Sequence, residues 1–339
     1  MLSDFTSRPG AVGSPPQHYG NPLGEQRALA SGDAIVDLSD RAVITITGDD
    51  RLTWLDSLTS QSLKALQPGE SAETLLLDPT GRLEHAIRVV DDGVSLWLLV
   101  DGAEGASLAA WLDRMRFMLR VEVTLHDQYR TIGTLGTPDL PAVVTWVDPW
   151  TASPGHRYAT ARPDAPWSYR EIVVLKDADL SALPATGTLA LDALRIAAWR
   201  PRLVDADEKT IPHELDWLSS AVHLNKGCYR GQETVAKVHN LGHPPRRLVM
   251  LHLDGVVPAA GAEVLNGDVV VGHVTSAALH FELGPVALAV IKRNVDPALD
   301  LVVTTEDGPI AAAQEVIVPT DAGASANVPR LPRLGAVTR

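Results

Sequence analysis

One octapeptide carries most of the chemistry that the sequence offers: Lys-Gly-Cys-Tyr-Arg-Gly-Gln-Glu at residues 226–233. Its cysteine, Cys228, is the only cysteine among 339 residues and has a lysine and an arginine nearby. A thiol reacts as its thiolate, which neighbouring cations and helix N-termini stabilise. A lone cysteine is more often a small buried hydrophobe. Two glycines and four polar or charged neighbours make a poor core, so the pattern favours a reactive thiol.

A helix is predicted directly after this cysteine, over residues 231–241. Cys228 would precede its first turn, where backbone N–H groups and the helix dipole favour negative charge. The same arrangement would suit a carboxylate or phosphate, and Lys226 and Arg230 would add to either role. Both cations could equally be solvated loop residues, and the polar residues that open the helix could merely cap it.

Positive charge is concentrated here in an otherwise acidic protein. The chain has a net charge of −13, whereas residues 226–247 hold five Lys or Arg and one Glu, a local +4. Such a segment could attract a small anionic ligand or could be an ordinary solvated face. The acidic total argues against a general nucleic-acid binder, so no direct nucleic-acid partner is expected.

Other chemical signatures are weak. Cys228, His239 and His243 have a Cys-x10-His-x3-His spacing that resembles half a zinc site. Structural zinc usually takes four protein ligands and paired cysteines, so no permanent metal is predicted. Glu84-His85 is an acid–base pair by composition, but adjacent strand residues point to opposite faces. There is no Walker loop, Gly-x-Ser-x-Gly elbow or His-Glu-x-x-His.

The helices and strands predicted around the motif indicate an α+β protein. Strand-like runs separated by turns, such as the one at residues 78–81, alternate with helical segments, which disfavours a doubly wound sheet. Beyond the break at residues 242–245, short strands and the Asn266-Gly267 turn predict a small β-barrel. The predicted organisation is a flexible arm over 1–24, two α+β units over about 25–140 and 141–244, a barrel over 245–320 and a flexible tail over 321–339.

Composition places the chain in a reducing compartment. A single cysteine excludes an intrachain disulfide, which fits the cytosol better than secretion. The first five residues do not resemble the start of a signal peptide, and no apolar stretch approaches the roughly 18 residues of a membrane span. A cytoplasmic monomer without membrane contact is expected.

The motif resembles the signature of the YgfZ family of folate-binding proteins, which is related to the glycine-cleavage T-protein, an aminomethyltransferase. The resemblance extends over roughly residues 20–320. Its shorter pieces are Asp37-Leu38-Ser39, residues 48–55, residues 78–82, Leu194-Arg195-Ile196, residues 211–214 and residues 272–276.

This resemblance implies a glycine-cleavage T-protein-like fold, with two α+β (ferredoxin-like) units around a central folate pocket and a C-terminal barrel. It implies tetrahydrofolate or a derivative as ligand, and iron–sulfur client or assembly proteins as partners. The implied role is assembly or repair of iron–sulfur clusters and, indirectly, tRNA modification, with Cys228 as the reactive thiol. The motif residues are Lys226, Gly227, Cys228, Tyr229, Gly231, Gln232 and Glu233, and the implied folate contacts are Lys226, Tyr229, Arg230, Arg195 and Glu214.

Two departures disfavour aminomethyl transfer. Glu84-His85 stands where the T-protein has an acidic pair. Ala197-Ala198-Trp199 stands where the T-protein has Glu-Ala-Gly, whose glutamate contacts the pterin. A tetrahydrofolate-dependent aminomethyltransferase or related one-carbon transferase is therefore the alternative, and a non-catalytic scaffold is the second. Whether Cys228 would hold a cluster, iron or a persulfide stays open.

Overall fold

A computed structural model describes residues 5–161 and 167–326. In these residues sixteen strands form two five-stranded sheets and a closed six-stranded barrel. The strands are β1 (Ile35–Asp37), β2 (Arg41–Thr47), β3 (Ser71–Leu77), β4 (Leu83–Asp91), β5 (Ser95–Asp101), β6 (Glu122–His126), β7 (Tyr129–Thr134), β8 (Val144–Val147), β9 (Arg170–Leu175), β10 (Ala185–Thr186), β11 (Arg246–Leu253), β12 (Glu263–Asn266), β13 (Val269–His280), β14 (Gly284–Lys292), β15 (Leu301–Val303) and β16 (Ile310–Val316). The α-helices are α1 (Pro22–Ala30), α2 (Arg51–Leu58), α3 (Gly102–Arg114), α4 (Thr188–Ala197), α5 (Leu218–Ala221) and α6 (Gln232–Leu241).

The first sheet has the order β3-β4-β5-β2-β6, and every pairing in it is antiparallel. β3 and β4 are joined by the predicted turn, in which the Asp78 carboxylate accepts the backbone N–H of Thr80 and of Arg82. α3 packs on β2 and β6, and its Leu108 and Leu112 are fully buried. Apolar runs separated by turn-forming residues predicted this meander, and these runs form the strands of the sheet.

The second sheet has the order β10-β1-β7-β9-β8. β1 pairs in parallel with β10, and the other pairings are antiparallel. Because β1 and β7 precede residue 140 while β8, β9 and β10 follow it, the sheets do not coincide with the predicted units 25–140 and 141–244. The chain contributes its early strands to the later sheet, a long-range pairing that local sequence patterns do not reveal.

The barrel is formed by β11 to β16, and its strands lie within residues 246–316, inside the predicted range 245–320. β12 and β13 form the hairpin predicted from Asn266-Gly267, and Gly267 has a positive φ of 58°. Valine, leucine, isoleucine and alanine side chains fill its interior.

The flexible arm predicted over residues 1–24 is packed where the structure describes it. Phe5 is fully buried, and the Arg8 guanidinium donates to the backbone oxygens of Leu180 and Leu183. The described start of the predicted tail 321–339 also packs, since Ala322 is buried. An isolated aromatic or small apolar residue in a Pro- and Gly-rich segment can fill a surface pocket, which composition does not show. The rest of these two segments, residues 1–4 and 327–339, lies outside the described residues.

Across the described ranges 5–161 and 167–326, no helix combines the length and the apolar character needed to cross a bilayer.

Candidate functional site

Cys228 lies exposed on the loop that leads into α6. The helix begins at Gln232, one residue after the predicted start, with Gly231 as its N-cap residue. Gly231 has a φ of 81°, and a Cβ there would fall 2.6 Å from the backbone oxygen of Asp78. Only glycine therefore lets the loop pack this closely onto the turn between β3 and β4. This contact orients the residues before the helix and leaves the thiol facing solvent.

Lys226 fastens the other end of this loop. Its ammonium donates to the backbone oxygens of Asp56, Thr59 and Gln61, and its side chain is 1% exposed. The Asp56 and Thr59 oxygens lie at the C-terminal end of α2, where carbonyl groups lack intrahelical partners, and Gln61 follows the helix. Burial lowers the pKa of Lys226 to about 8. With three donors on three carbonyls, the ammonium has none left for a ligand, so a folate contact would require one of these bonds to break.

Tyr229 and Arg230, the two residues after Cys228, both have partners elsewhere in the protein. The Tyr229 ring is buried 5.3 Å from the Lys226 ammonium, and burial raises the pKa of its phenol. The Arg230 guanidinium donates to both carboxylate oxygens of Glu84, at 2.6 and 3.1 Å, and lies over the Trp111 ring. Arg230 thus neutralises Glu84, the acid of the Glu84-His85 pair.

The remaining motif residues either close the loop or face solvent. Gln232 donates its side-chain amide to the backbone oxygen of Lys226, 3.3 Å away, which closes the loop on itself. Gly227 and Glu233 are exposed. The Glu84 neighbour His85 bonds to Glu104 at 2.7 Å.

The local +4 charge of residues 226–247 is not a free basic surface. The Arg246 guanidinium pairs with Asp207 and with the buried Glu214. Arg247 is fully buried, and burial lowers its pKa to about 10. With both motif cations also occupied, Lys237 is the cation of this segment that stays exposed. Acids from distant parts of the sequence pair with Arg230 and Arg246. Arg247 donates instead to the Val295 backbone oxygen and the Gln314 side chain, and these partners cannot be seen from local charge.

A cavity lies between the two sheets and α4. Its volume is about 20 Å³, and ten residues line it. Three are aromatic, five are arginines, and one acid and one leucine complete the wall. They are Trp146, Trp167, Tyr169, Arg41, Arg88, Arg195, Arg200, Arg202, Asp148 and Leu191.

Arg195 is the one predicted folate contact that lines this cavity. Its guanidinium donates to Asp192, Asp205 and Ser276, and is thereby held inside the protein. Glu214 lies elsewhere, beside Arg246, and accepts three hydrogen bonds from that residue. The structure therefore does not bring the five predicted contacts into one pocket.

A buried chain of hydrogen bonds connects the cavity to the motif loop. The Gln61 amide donates to the backbone oxygen of Ser220, and the Ser220 hydroxyl donates to Glu73. Arg200 donates to the other oxygen of Glu73, at 2.6 Å, and to Asp148, at 2.8 Å. Since the motif's ammonium binds the Gln61 carbonyl, the two centres share one polar network.

An outer chamber of about 270 Å³ adjoins the cavity. Arg41, Leu191 and Arg202 border both spaces, and Ser14, Pro15 and Gln17 of the N-terminal segment also line the chamber. The Nε atoms of Arg41 and Arg202 are buried and find no acceptor within the described residues. Arginine donors and aromatic faces are chemically suited to a ligand with a planar ring and carboxylates.

The inner cavity nevertheless does not accommodate a pterin in this state. About 20 Å³ is room for one or two water molecules. Trp199 follows the end of α4 and is not among the residues that line the cavity; it is 4% exposed and adopts a φ of 56°, an uncommon conformation for a bulky residue. Its indole Nε1 is buried with no acceptor within the described part of the chain. The chemistry of the walls fits a folate, but the volume does not.

Apart from Arg195, the arginines of this cavity were not predicted from the sequence. Arg88 interrupts the apolar run of β4, and a charged residue inside such a run was the available signal. Its guanidinium lies near Glu171, with Nε and Oε1 3.1 Å apart, and Glu171 is fully buried. The partners are far apart in the sequence, so the cluster itself required the fold.

A histidine cluster packs against α6. His213 is fully buried, and its Nε2 lies 3.1 Å from the backbone oxygen of Val235. The rings of His156 and His239 are 4.6 Å apart, and Tyr158 contacts both. Burial lowers the pKa of His213 to about 4, and the two other histidines oppose its protonation.

His239 and His243, from the zinc-like spacing, have separate partners. His243 bonds to the backbone oxygen of Ala322 at 2.8 Å. In the described residues, no three His, Cys, Asp or Glu side chains are arranged to hold a metal ion.

Residues 246–320 match the family of glycine cleavage T-protein C-terminal barrel domains. The chain is 28% identical over 308 residues to an aminomethyltransferase of Nostoc sp., covering 80% of each protein. It is 25% identical over 290 residues to the tRNA-modifying protein YgfZ of Vibrio vulnificus, covering 81% of this chain and 89% of that protein.

A third relative is the mitochondrial iron–sulfur cluster assembly factor IBA57 homolog of Mycosarcoma maydis. It is 27% identical over 240 residues, which span 65% of this chain and 58% of that protein. The fold matches the crystal structure of the glycine cleavage system aminomethyltransferase T from Bartonella henselae with a TM-score of 0.72. That match has 18% identity and covers 93% of this chain and 96% of the other. The expected T-protein-like fold and the resemblance to YgfZ proteins are both confirmed.

Proposed function

We propose that this chain, a relative of YgfZ and IBA57 proteins with a T-protein-like fold, assists the assembly or repair of iron–sulfur clusters in client enzymes. Cys228 is the group that meets iron or sulfur. The observation that carries the proposal is an exposed thiol on a loop whose neighbouring side chains are tied to the protein. Such a loop presents one soft ligand at a fixed place.

The chemistry follows from the residue type. A thiolate is the soft ligand preferred by iron–sulfur clusters, and it also reacts with sulfane sulfur. Because Lys226 and Gly231 hold the two sides of the loop, presenting the thiol to a partner costs little additional ordering. A single protein thiolate binds iron weakly, which suits transient contact with a client that supplies the other ligands.

Tetrahydrofolate or a derivative is the proposed small-molecule ligand, carried over from the YgfZ and aminomethyltransferase relatives. The arginines and aromatic rings around the cavity are the residues that would bind it. Since the closed cavity does not accommodate a pterin, no step of the proposed function is routed through folate.

A reconstitution experiment tests the thiol role. A purified apo client enzyme is supplied with iron, sulfide and reductant, and the return of its activity is followed with wild-type protein, Cys228→Ser or Cys228→Ala. We expect both variants to lower the rate to that without the protein. The exposed Gly227→Ala variant of the same loop, where a Cβ meets no atom within 4 Å, is the control and should retain activity. Wild-type rates with both cysteine variants would refute the proposal.

The aminomethyltransferase relatives support an alternative, a tetrahydrofolate-dependent one-carbon transferase. Against it, Glu84 forms a bidentate ion pair with Arg230, and His85 is held by Glu104. Turnover of an aminomethylated carrier in the presence of tetrahydrofolate would establish this alternative.

A scaffold without a ligand is the second alternative. Calorimetric titration with tetrahydrofolate separates it from folate binding, because a scaffold should give no heat of binding. The matched variant Ala197→Glu restores the carboxylate found in the T-protein pattern and is expected to increase the affinity.

The proposed setting is the cytoplasm, where a monomer acts on iron–sulfur clients. An effect on tRNA modification would be indirect, through a client enzyme, because the net charge of −13 disfavours direct tRNA binding.

A further inference from the structure

Three apolar residues beyond the end of α3 project into solvent. Phe117 is 82% exposed, Met118 98% and Leu119 46%. Residues 117–119 are here called the apolar tip. In the part of the chain that the structure describes, no other three consecutive large apolar residues are exposed. Single exposed apolar side chains are ordinary on a protein surface, whereas contiguous ones mark interaction sites.

The backbone of the apolar tip holds these side chains outward. Phe117 has a φ of 48°, a left-handed conformation that is uncommon and unfavourable for a bulky residue. The turn is nevertheless fixed: the Leu119 N–H donates to the Arg116 carbonyl at 2.9 Å, and the Arg116 guanidinium donates to the Val121 carbonyl at 3.2 Å. The exposed aromatic ring adds nothing to the packing of the chain, so the fold itself does not explain this arrangement.

Two contacts connect the apolar tip to the loop of the thiol. Arg230, two residues after Cys228, lies over the Trp111 ring of α3, 5.6 Å from its centroid. The Trp54 Nε1 of α2 donates to the backbone oxygen of Met115 at 3.1 Å, just before the tip, and the end of α2 also holds the motif's lysine. The tip and the thiol loop are therefore fastened to the same two helices.

The spacing between the tip and the thiol suits a single partner. Trp111 and Met115 are one helical turn apart, about 6 Å along the helix axis. A standard protein interface covers about 800 Å² on each side, a patch roughly 30 Å across. A partner that contacts the apolar tip therefore also reaches the exposed Cys228.

Charges of both signs accompany the apolar tip. Three arginines flank it in the sequence and three aspartates lie beside them: Arg114, Arg116, Arg120, Asp49, Asp50 and Asp113. Arg116 pairs with Asp113 at 3.0 Å, and Arg120 pairs with the two other acids at 3.0 and 3.1 Å. This surface is therefore neutral in a protein of net charge −13.

The charge balance favours a protein partner over a membrane. Loops that bind anionic lipid place several unpaired Lys or Arg beside their apolar residues. An apolar centre with a polar, charged rim is instead the composition of a protein interface. Because the rest of the chain is acidic, the neutral surface is also where another acidic protein meets the least repulsion.

We propose that the apolar tip is the docking element for a client protein. Phe117 and Met118 enter an apolar groove of the client, and this contact brings the client's cluster site to Cys228. The inference rests on the proposed role of Cys228 and adds the surface that recognises the client. A few large apolar side chains carry most of the affinity of an interface, so the tip supplies binding while the thiol supplies the chemistry.

The test measures client recognition separately from thiol chemistry. Phe117→Asn with Met118→Gln removes the apolar groups, and asparagine tolerates the left-handed backbone. The probe is a purified apo dehydratase whose activity requires a four-iron cluster, reconstituted with iron, sulfide and reductant at increasing dehydratase concentrations. We expect the half-saturating concentration to rise about tenfold in the double variant, as for loss of an interface anchor, with an unchanged rate at saturation.

Three controls accompany the double variant. Val269→Thr alters an apolar residue of the barrel that is 59% exposed, and it should behave as wild type. Labelling of Cys228 by Ellman's reagent should keep its wild-type rate in the double variant, because the thiol loop is untouched. Cys228→Ser should bind fluorescently labelled dehydratase as tightly as wild type in an anisotropy titration. If the double variant is unstable, Met118→Gln alone replaces it, since that side chain is 98% exposed.

An unchanged half-saturating concentration in the double variant, with native circular dichroism, would overturn the proposal, as would failure of the wild type to bind the dehydratase. It would also be overturned if the double variant lost a wild-type affinity for vesicles of phosphatidylcholine and phosphatidylserine, or lost a wild-type dimer in analytical ultracentrifugation. The tip would then serve a membrane or a second copy. If Cys228→Ser stimulates the dehydratase like wild type while the double variant binds it weakly, the thiol role fails and the docking surface stands.

Discussion

Lys226 directs its ammonium to the backbone of α2 rather than outward, and this explains much of the motif's composition. Two carbonyl groups at the end of α2 and one just beyond it need donors, and one buried ammonium supplies them. Gly231 then allows the loop to approach the Asp78 turn. Two residues that looked like parts of a binding site are thus responsible for the position of Cys228.

Replacing Lys226 with methionine keeps the length of the side chain and removes its donors. We expect a loss of about 1–3 kcal/mol in the free energy of unfolding, because buried carbonyls are left without partners. Urea denaturation measures this loss, and the exposed Lys237→Met variant is the control. Equal stability of Lys226→Met and wild type would contradict the proposed fastening role.

The two glycines of the motif provide a matched pair. Gly231→Ala should destabilise the protein by about 1–3 kcal/mol, since φ is 81° and the Cβ would press on a backbone oxygen. Gly227→Ala should have little effect, because its Cβ would meet no atom within 4 Å. Thermal unfolding of both variants checks the difference, and equal melting temperatures would show that the loop does not need this close contact.

At the scale of elements, α6 connects the motif to the histidine cluster. His213 reaches the carbonyl of Val235 in the middle of this helix and is fully enclosed. A histidine in this setting is held neutral, because its burial and two neighbouring imidazoles oppose a second proton. The packing of α6 is therefore sensitive to acid.

The pH dependence of stability follows from the lowered pKa of His213. Its pKa is about 4 in the folded protein and 6.5 as the ordinary value, so the unfolded chain binds the extra proton between these limits. Stability should fall as the pH drops from 6.5 towards 4, by about 3 kcal/mol from this group. Urea denaturation at several pH values measures the fall. His213→Gln should lose this component, whereas the exposed control His223→Gln should keep it.

Local patterns predicted the elements near the motif well. Asp78 and Gly81 indicated a turn, and the residues after Cys228 indicated a helix, because both depend on neighbours in sequence. The cavity arginines depend instead on acids that are distant in the sequence, such as Glu73, which lies 127 residues from Arg200. The local sequence predicts a flexible arm around Phe5. It does not show that distant strands form a hydrophobic pocket for this ring.

At the scale of the whole molecule, buried charge joins the sheets, α4 and the motif loop. Glu73 of the first sheet accepts from Arg200 and from Ser220, and Arg200 also reaches Asp148 between the sheets. Such a network is costly to bury and still more costly to break, because removing one partner leaves an uncompensated charge. The relative position of the sheets therefore depends on a few acids.

Glu73→Gln tests this dependence. The variant keeps the shape of the side chain but leaves Arg200 with one fewer buried counter-charge, so we expect a loss of about 3–5 kcal/mol. Guanidinium denaturation measures the loss, and the exposed, nearby Glu70→Gln is the control. A change below about 1 kcal/mol, the usual range for exposed pairs, would show that the network is not stabilising.

The central claim is that the Cys228 thiol serves iron–sulfur cluster assembly. The most direct measurement is the activity of a cluster-dependent enzyme in cells that lack this protein and are complemented with wild type or Cys228→Ser at equal protein levels. The account predicts that the serine variant restores no more activity than the empty vector, while Gly227→Ala restores the wild-type level. Full restoration by Cys228→Ser would contradict it.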